Sequence, residues 1–166
     1  MPRTLALLLL LGLAATARAD GDHHAVLGIG TQVVREPGWV FRLQQSLDME
    51  RSDPDHSTPL FGFRSGLDIY SAGGHWGYSL PVGFYLGGRA GNVRSTIGGG
   101  AGLLAIDGRA GDFGFGIAPY VGTTIEIAMG KAIVVVEGRV TREVLGDADD
   151  YTLWNVIVMF GRRRER

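Results

Sequence analysis

The chain alternates. Between Trp39 and Glu50 (WVFRLQQSLDME), Trp39, Phe41, Leu43, Leu47 and Met49 fall on one face. Arg42, Gln44, Ser46, Asp48 and Glu50 fall on the other, and only Gln45 breaks the apolar side. Between His75 and Leu86 (HWGYSLPVGFYL), Trp76, Tyr78, Leu80, Val82, Phe84 and Leu86 oppose His75, Gly77, Ser79, Pro81, Gly83 and Tyr85. A period of two sustained over such lengths specifies strands with one apolar side, because successive strand side chains point to opposite faces.

The same pattern recurs with less contrast. Leu60 to Ser71 sets Phe61, Phe63, Leu67 and Ile69 against Arg64, Asp68 and Tyr70. Asp112 to Ala128 sets Phe113, Phe115, Ile117, Val121, Ile125 and Ile127 against small residues and Glu126. Lys131 to Arg142 sets Val134, Val136 and Val140 against Glu137, Arg139 and Thr141; Tyr151 to Phe160 sets Trp154, Val156, Val158 and Phe160 against Tyr151 and Asn155. Two Gly-rich segments, Ala25 to Arg35 and Arg94 to Ile106, bring the strands to eight. The separators Glu36–Gly38, Ser71–Gly74, Gly87–Asn92, Asp107–Gly111 and Met129–Gly130 are short and rich in turn formers. Arg51–Pro59 and Glu143–Asp150 are longer and polar, and no linker divides the chain.

Ahead of the first strand lies an address. Arg3 supplies a positive start, Leu5 to Leu13 an apolar run, and Ala17-Arg18-Ala19 a cleavage site before Asp20, which is the pattern of a secretory leader. The run falls well short of the ~20 residues that a membrane-spanning helix needs. The division expected is a leader over 1–19, a barrel domain over 20–161 and a basic tail over 162–166. Composition narrows the rest. The 166 residues include 27 Gly and no Cys, so disulfide scaffolds, zinc-thiolate and iron–sulfur sites are excluded. The formal charge of -1 carries no nucleic-acid footprint, and the glycines have no collagen period.

An eight-stranded antiparallel sheet disposes of its edges by closing into a barrel. Alternation fixes two faces without saying which is wet. Three features put the apolar face outside. The other face mixes Arg42, Asp48, Glu50, Arg64, Asp68, Glu126, Glu137 and Arg139 with small residues, which suits a narrow interior. The strands match the ~9–11 residues that cross a bilayer at a tilt. Aromatic residues gather towards strand ends, as an interfacial girdle would, with Trp39, Trp76, Tyr78, Trp154 and Phe160 as its members. The fold expected is all-β, an eight-stranded antiparallel up-and-down transmembrane β-barrel. Arg64, Asp68, Glu126, Glu137 and Arg139 are expected to form an ion-pair network that fills the lumen. The alternative is a soluble secreted or periplasmic barrel with the charged face outside, binding a small hydrophobic ligand.

The stretch from Tyr78 to Arg142, with its YSLPVGFYL and STIGGGAGL strands and the FGIAPYVGTTIEIAMGKAIVVVEGRV hairpin, resembles the small eight-stranded bacterial outer-membrane barrels of the OmpA/OmpX class. The closing WNVIVMF is similar to that family's C-terminal insertion signal, although Gly161 to Arg166 follow it here. The resemblance implies outer-membrane residence, lipid as the surrounding partner, delivery to the outer-membrane assembly machinery through the last strand, and a structural, non-enzymatic role. It also puts Arg51–Pro59 on the periplasmic side, longer than the class shows there unless the strand count is off by one.

A few outer-membrane barrels are enzymes, so a barrel enzyme acting on envelope lipid is the third reading. Of four histidines, only His75 could meet Ser79 and Asp68, and no ordered nucleophile motif surrounds it. Asp20-Gly21-Asp22-His23-His24 reads as a solvated tail rather than a metal site. Gly28-Ile29-Gly30 and Gly98–Gly100 are not followed by a helix start or a P-loop Lys, so they read as strand glycines. No cofactor is expected.

Overall fold

The computed structural model describes residues 23–33, 37–48, 58–72, 75–107, 113–145 and 151–164. The leader expected over 1–19 lies outside them. The strands are β1 (His23–Val33), β2 (Pro37–Asp48), β3 (Thr58–Ala72), β4 (His75–Ala90), β5 (Val93–Asp107), β6 (Phe113–Met129), β7 (Ala132–Leu145) and β8 (Tyr151–Arg164). Each pairs antiparallel with its sequence neighbours, and β8 returns to β1 to close the barrel in the order β1 to β8. The strand count of eight stands, and β2 ends and β3 starts at the rim where β1 starts and β8 ends, the near rim; residues 49–57 lie outside the described residues.

Two hairpins at the near rim turn in two residues, Gly91-Asn92 and Gly130-Lys131. In each the first residue carries positive φ, 59° at Gly91 and 64° at Gly130, as a type II′ turn requires and glycine alone supplies without strain. The Gly87–Asn92 separator therefore shrinks to its last two residues, with Gly87 to Ala90 paired into β4. At the other end of the chain β8 continues past Phe160, and Arg162, Arg163 and Arg164 pair with Ala25, His24 and His23. The expected tail is largely strand, and so is the His23-His24 pair. The cause is mutual: closing the barrel gives the first and last strands each a partner, and pairing satisfies backbone groups that would otherwise form an open edge.

Prolines leave their mark on two ladders. The β3–β4 ladder lapses at Gly66–Leu67 opposite Leu80–Pro81, and the β6–β7 ladder lapses beside Pro119. Pro has no N–H to donate, yet both prolines stay in register with β5 on their other side, at Gly102 and Ala101.

The apolar face is outside. Leu27, Ile29, Leu43, Val82, Phe84, Leu103, Phe115, Ile117, Val136 and Trp154 are all exposed, whereas Arg42, Asp48, Asp68, Arg94, Glu137 and Arg139 are buried in the lumen. The lumen is not uniformly polar. Val26, Ile133, Val135, Ile157 and Met159 line the wall made by β1, β8 and the near-rim half of β7, so these stretches are apolar on both faces, while β7 becomes charged inside from Glu137 onwards. Replacing Gly130 by Val puts a β-branched side chain at φ 64° and is expected to cost about 1–3 kcal/mol, seen as a lower urea midpoint for unfolding of the refolded barrel.

Candidate functional site

The lumen is built by the inward positions of the alternating strands, which among the described residues hold Arg42, Arg64, Arg94 and Arg139 with the carboxylates of Asp48, Asp68, Glu126, Glu137 and Glu143. At its centre Arg42, wholly buried, grips Asp68 of the adjacent strand with two donors, Nε to Oδ1 at 2.5 Å and Nη2 to Oδ2 at 2.6 Å. Its third donor crosses the lumen to Glu137 Oε1 on β7 at 2.6 Å. Arg139 closes the ring, with Nε 2.7 Å from Glu137 Oε1 and Nη1 3.3 Å from Asp68 Oδ2. Two guanidinium forks thus share two carboxylates, an arrangement in which each buried charge has a hydrogen-bonded counter-charge.

A second cluster sits towards the near rim. Arg94 places Nη2 2.6 Å and Nη1 3.1 Å from the Asp48 carboxylate, with Glu126 at 3.9 Å. Tyr85 donates its hydroxyl to Asp48 Oδ1 at 2.5 Å. The Tyr85 ring meets both Arg64 and Arg94, whose guanidinium carbons are each 4.9 Å from its centroid, two cation–π contacts on one ring. Arg64 joins the clusters. It reaches Glu137 Oε2 at 3.5 Å and donates to Thr124 at 2.9 Å and to Thr96 at 3.3 Å. Towards the far rim, Arg139 lies 4.1 Å above the Tyr120 ring, and Tyr70 on β3 donates its hydroxyl across the lumen to Glu143 on β7.

Glycine makes room for these rings. Tyr70 pairs with Gly77 and Tyr85 with Gly62. A side chain at either glycine would run into the tyrosine ring opposite, so the inward glycines of β3 and β4 are the seats of the aromatic groups that the charges pack against. Beside Arg139 Nη2 and Asn155 Oδ1, neither of which has a hydrogen-bond partner in the protein, is a cavity of about 10 Å³. That is at the lower limit for a single water.

All five residues expected in the lumen face inward. Asp68, Glu137 and Arg139 meet in the central ring, Arg64 reaches it through Glu137, and Glu126 sits at the edge of the near cluster. Arg42 and Asp48 were visible on the polar face of β2 but not as members of the network. Arg94, Tyr85 and the Tyr70–Glu143 pair were not visible as members either. Alternation could have found Arg94, since it shares its parity with Thr96 while Val93, Ser95 and Ile97 face out. Which charges meet across the lumen depends on the stagger between strands, and alternation carries no information on that.

The expected aromatic residues all face outward. Trp39, Trp76 and Trp154 lie towards the far rim, and the Trp39 and Trp76 rings meet edge to face at 5.1 Å. Tyr78 lies two residues further in, and Phe160 towards the near rim, where Phe61, Phe63 and Phe84 pack together. Register separates the candidate relay. Ser79 is paired with Asp68, whereas His75 is paired with Ala72, four residues away along β4 or about 13 Å at ~3.3 Å per residue. Among the described residues no group of three or more His, Cys, Asp or Glu is placed to hold a metal ion.

Replacing Arg42 by Met leaves Asp68 and Glu137 short of a buried counter-charge and is expected to cost about 3–5 kcal/mol. Arg42→Lys keeps the charge but loses the fork and should fall between. Urea midpoints of the three refolded proteins measure the order; equal midpoints for the wild type and Arg42→Met contradict a central role for the guanidinium.

No protein-family model matches the chain, and no curated protein matches it by sequence. Solved structures do match it by shape. Neisserial surface protein A has a TM-score of 0.61 at 13% identity, covering 89% of this chain and 98% of its own. Ail, the attachment invasion locus protein of Yersinia pestis, has a TM-score of 0.56 at 11% identity, covering 87% and 99%. The outer-membrane enzyme PagL has a TM-score of 0.53 at 16% identity, covering 83% and 97%. The chain therefore has the fold of the small eight-stranded outer-membrane barrels.

Proposed function

We propose that the chain is an integral outer-membrane β-barrel with a structural or envelope-associated, non-enzymatic role. It is directed to the envelope by its leader, assembled there through β8 and held by the surrounding lipid. The inverted polarity of the barrel carries this reading. Ile29 and Phe115 are each 67% exposed on the outer wall, while Arg42 is 0% and Glu137 1% exposed inside. In water so continuous an apolar wall is a liability; in a bilayer it is the surface that matches the solvent. The Trp39–Trp76–Trp154 group at one rim and the Phe61–Phe63–Phe84–Phe160 group towards the other supply interfacial anchors. In this orientation the near rim, with its two-residue turns and both ends of the barrel, is periplasmic.

The ion-pair network serves as a structural plug. Side chains from β2, β3, β5 and β7 meet across the lumen, and the apolar wall of β1, β7 and β8 fills much of the remainder. Among the described residues the lumen is occupied by charged, aromatic and apolar side chains, which weighs against the soluble ligand-binding reading. PagL is an enzyme, so the architecture itself does not decide catalysis. The separation of His75 from Ser79 along β4, and so from Asp68, the β3 partner of Ser79, is what favours a non-enzymatic role.

Cell fractionation followed by electrophoresis with and without boiling tests membrane residence. The expected result is a membrane-fraction protein whose mobility changes on boiling; a protein in the soluble fraction with one mobility overturns the reading. Planar-bilayer recording tests the plug. The wild type is expected to give no resolved conductance steps, and regular steps from purified protein overturn the closed lumen.

A further inference from the structure

Beside the β6–β7 turn the outer wall passes from apolar to cationic within one row. Ile127, Val134, Phe160 and Leu27 are register partners across β6, β7, β8 and β1, and all four are apolar. The next row towards the near rim is Met129, Ala132, Arg162 and Ala25. Arg162 is exposed, and its partners on both sides are alanines with no side chain beyond Cβ. Lys131, also exposed, sits in the turn next to Ala132, one position beyond that row. Two cations thus border adjacent strands, whose spacing is about 4.8 Å. Among the described residues no carboxylate answers them. Asp48 and Glu126, the acidic residues of this rim, are buried in the lumen beside Arg94, and no ion pair joins Lys131 or Arg162 to a described residue.

We propose that Lys131 and Arg162 form a binding site for the phosphate headgroup of an anionic phospholipid in the periplasmic leaflet, an inference that rests on the outer-membrane reading. Three observations select the occupant. Like charges on neighbouring strands repel, and an anion set between them turns that repulsion into two attractions. The Arg162 guanidinium offers a fork of donors that matches phosphate oxygens, and the Lys131 ammonium adds a point charge on a flexible stem. The apolar row begins one step inward. Phe160 lies two residues from Arg162 on the same face of β8 and is 62% exposed, so a lipid whose phosphate meets the cations lays its acyl chains against that row. A free inorganic anion would use the cations and leave the apolar row unused. A zwitterionic headgroup brings an ammonium of its own to the same place, so the pair favours a lipid of net negative charge.

The test is native mass spectrometry of protein refolded into vesicles and released into detergent. The vesicles hold palmitoyl-oleoyl phosphatidylethanolamine and palmitoyl-oleoyl phosphatidylglycerol in equal parts. The wild-type barrel is expected to retain phosphatidylglycerol in preference to phosphatidylethanolamine. Arg162→Gln is expected to lower that preference about fivefold, a loss of ~1 kcal/mol. Lys131→Gln combined with Arg162→Gln is expected to lower it about 25-fold. Arg142→Gln removes an exposed arginine from the outer wall towards the far rim and is expected to keep the preference. All four proteins should keep the boiling-dependent mobility shift that reports an intact barrel. Inserted, heat-shifting wild type with no preference, or an equal loss in Arg142→Gln and Arg162→Gln, overturns the site and leaves the envelope reading standing. Loss of the preference in inorganic phosphate but not in chloride of equal ionic strength assigns the cations to a free anion and also overturns it. A chain that fails to insert at all overturns the envelope reading, and this inference with it.

Discussion

The Arg42 guanidinium is the constraint on which the rest of the lumen depends. It holds its own neighbour strand through Asp68 and the opposite wall through Glu137, so β2, β3 and β7 are tied by one side chain. Arg139 shares the same two carboxylates, which fixes where β7 lies relative to β3. Charges removed from water are stable only in such matched sets, and a set that spans three strands has few alternative arrangements. A one-residue slip in any of those strands would move its charged residues from the lumen to the outer wall. The network therefore acts on register at least as much as on net stability.

The glycine content follows from the same demand. An eight-stranded barrel is just wide enough for its interior to be filled by side chains. Filling it with guanidinium groups and tyrosine rings requires other inward positions to give up their side chains altogether. Gly62 and Gly77 do so beneath Tyr85 and Tyr70. Tyr85 in turn meets two arginines at its ring. At these two positions glycine is space released for aromatic rings rather than a source of flexibility.

Strand number and the two faces of each strand were legible in the chain because both depend on parity within a strand and on the turn residues between strands; which face is wet was legible from the charges, strand lengths and aromatic positions. The outward positions of Trp39, Trp76, Tyr78, Trp154 and Phe160 and the inward positions of Arg64, Asp68, Glu126, Glu137 and Arg139 followed from that parity. Strand ends were less legible. Gly87 and Gly88 carry turn composition yet are paired, and Arg162 to Arg164 carry tail composition yet complete β8. In both cases a neighbouring strand supplies hydrogen bonds that local composition does not foresee. The pairings Arg94–Asp48 and Tyr70–Glu143 join residues 46 and 73 positions apart. They arise from how far the strands are staggered when the sheet closes, which no single strand's pattern records.

Gln45 shows how a break in the pattern can be informative where the pattern itself is not. It is the residue that interrupts the apolar side of β2, and as an outward amide among leucines it looks like an error of sidedness. Its register partner on β3 is Ser65, an outward residue that is also polar, and the two are hydrogen-bonded. Two polar residues on adjacent strands at the same level meet only if the register is this one, so the break supports the register rather than weakening it. Paired across β2 and β3, the amide and the hydroxyl each meet a polar group within an apolar wall.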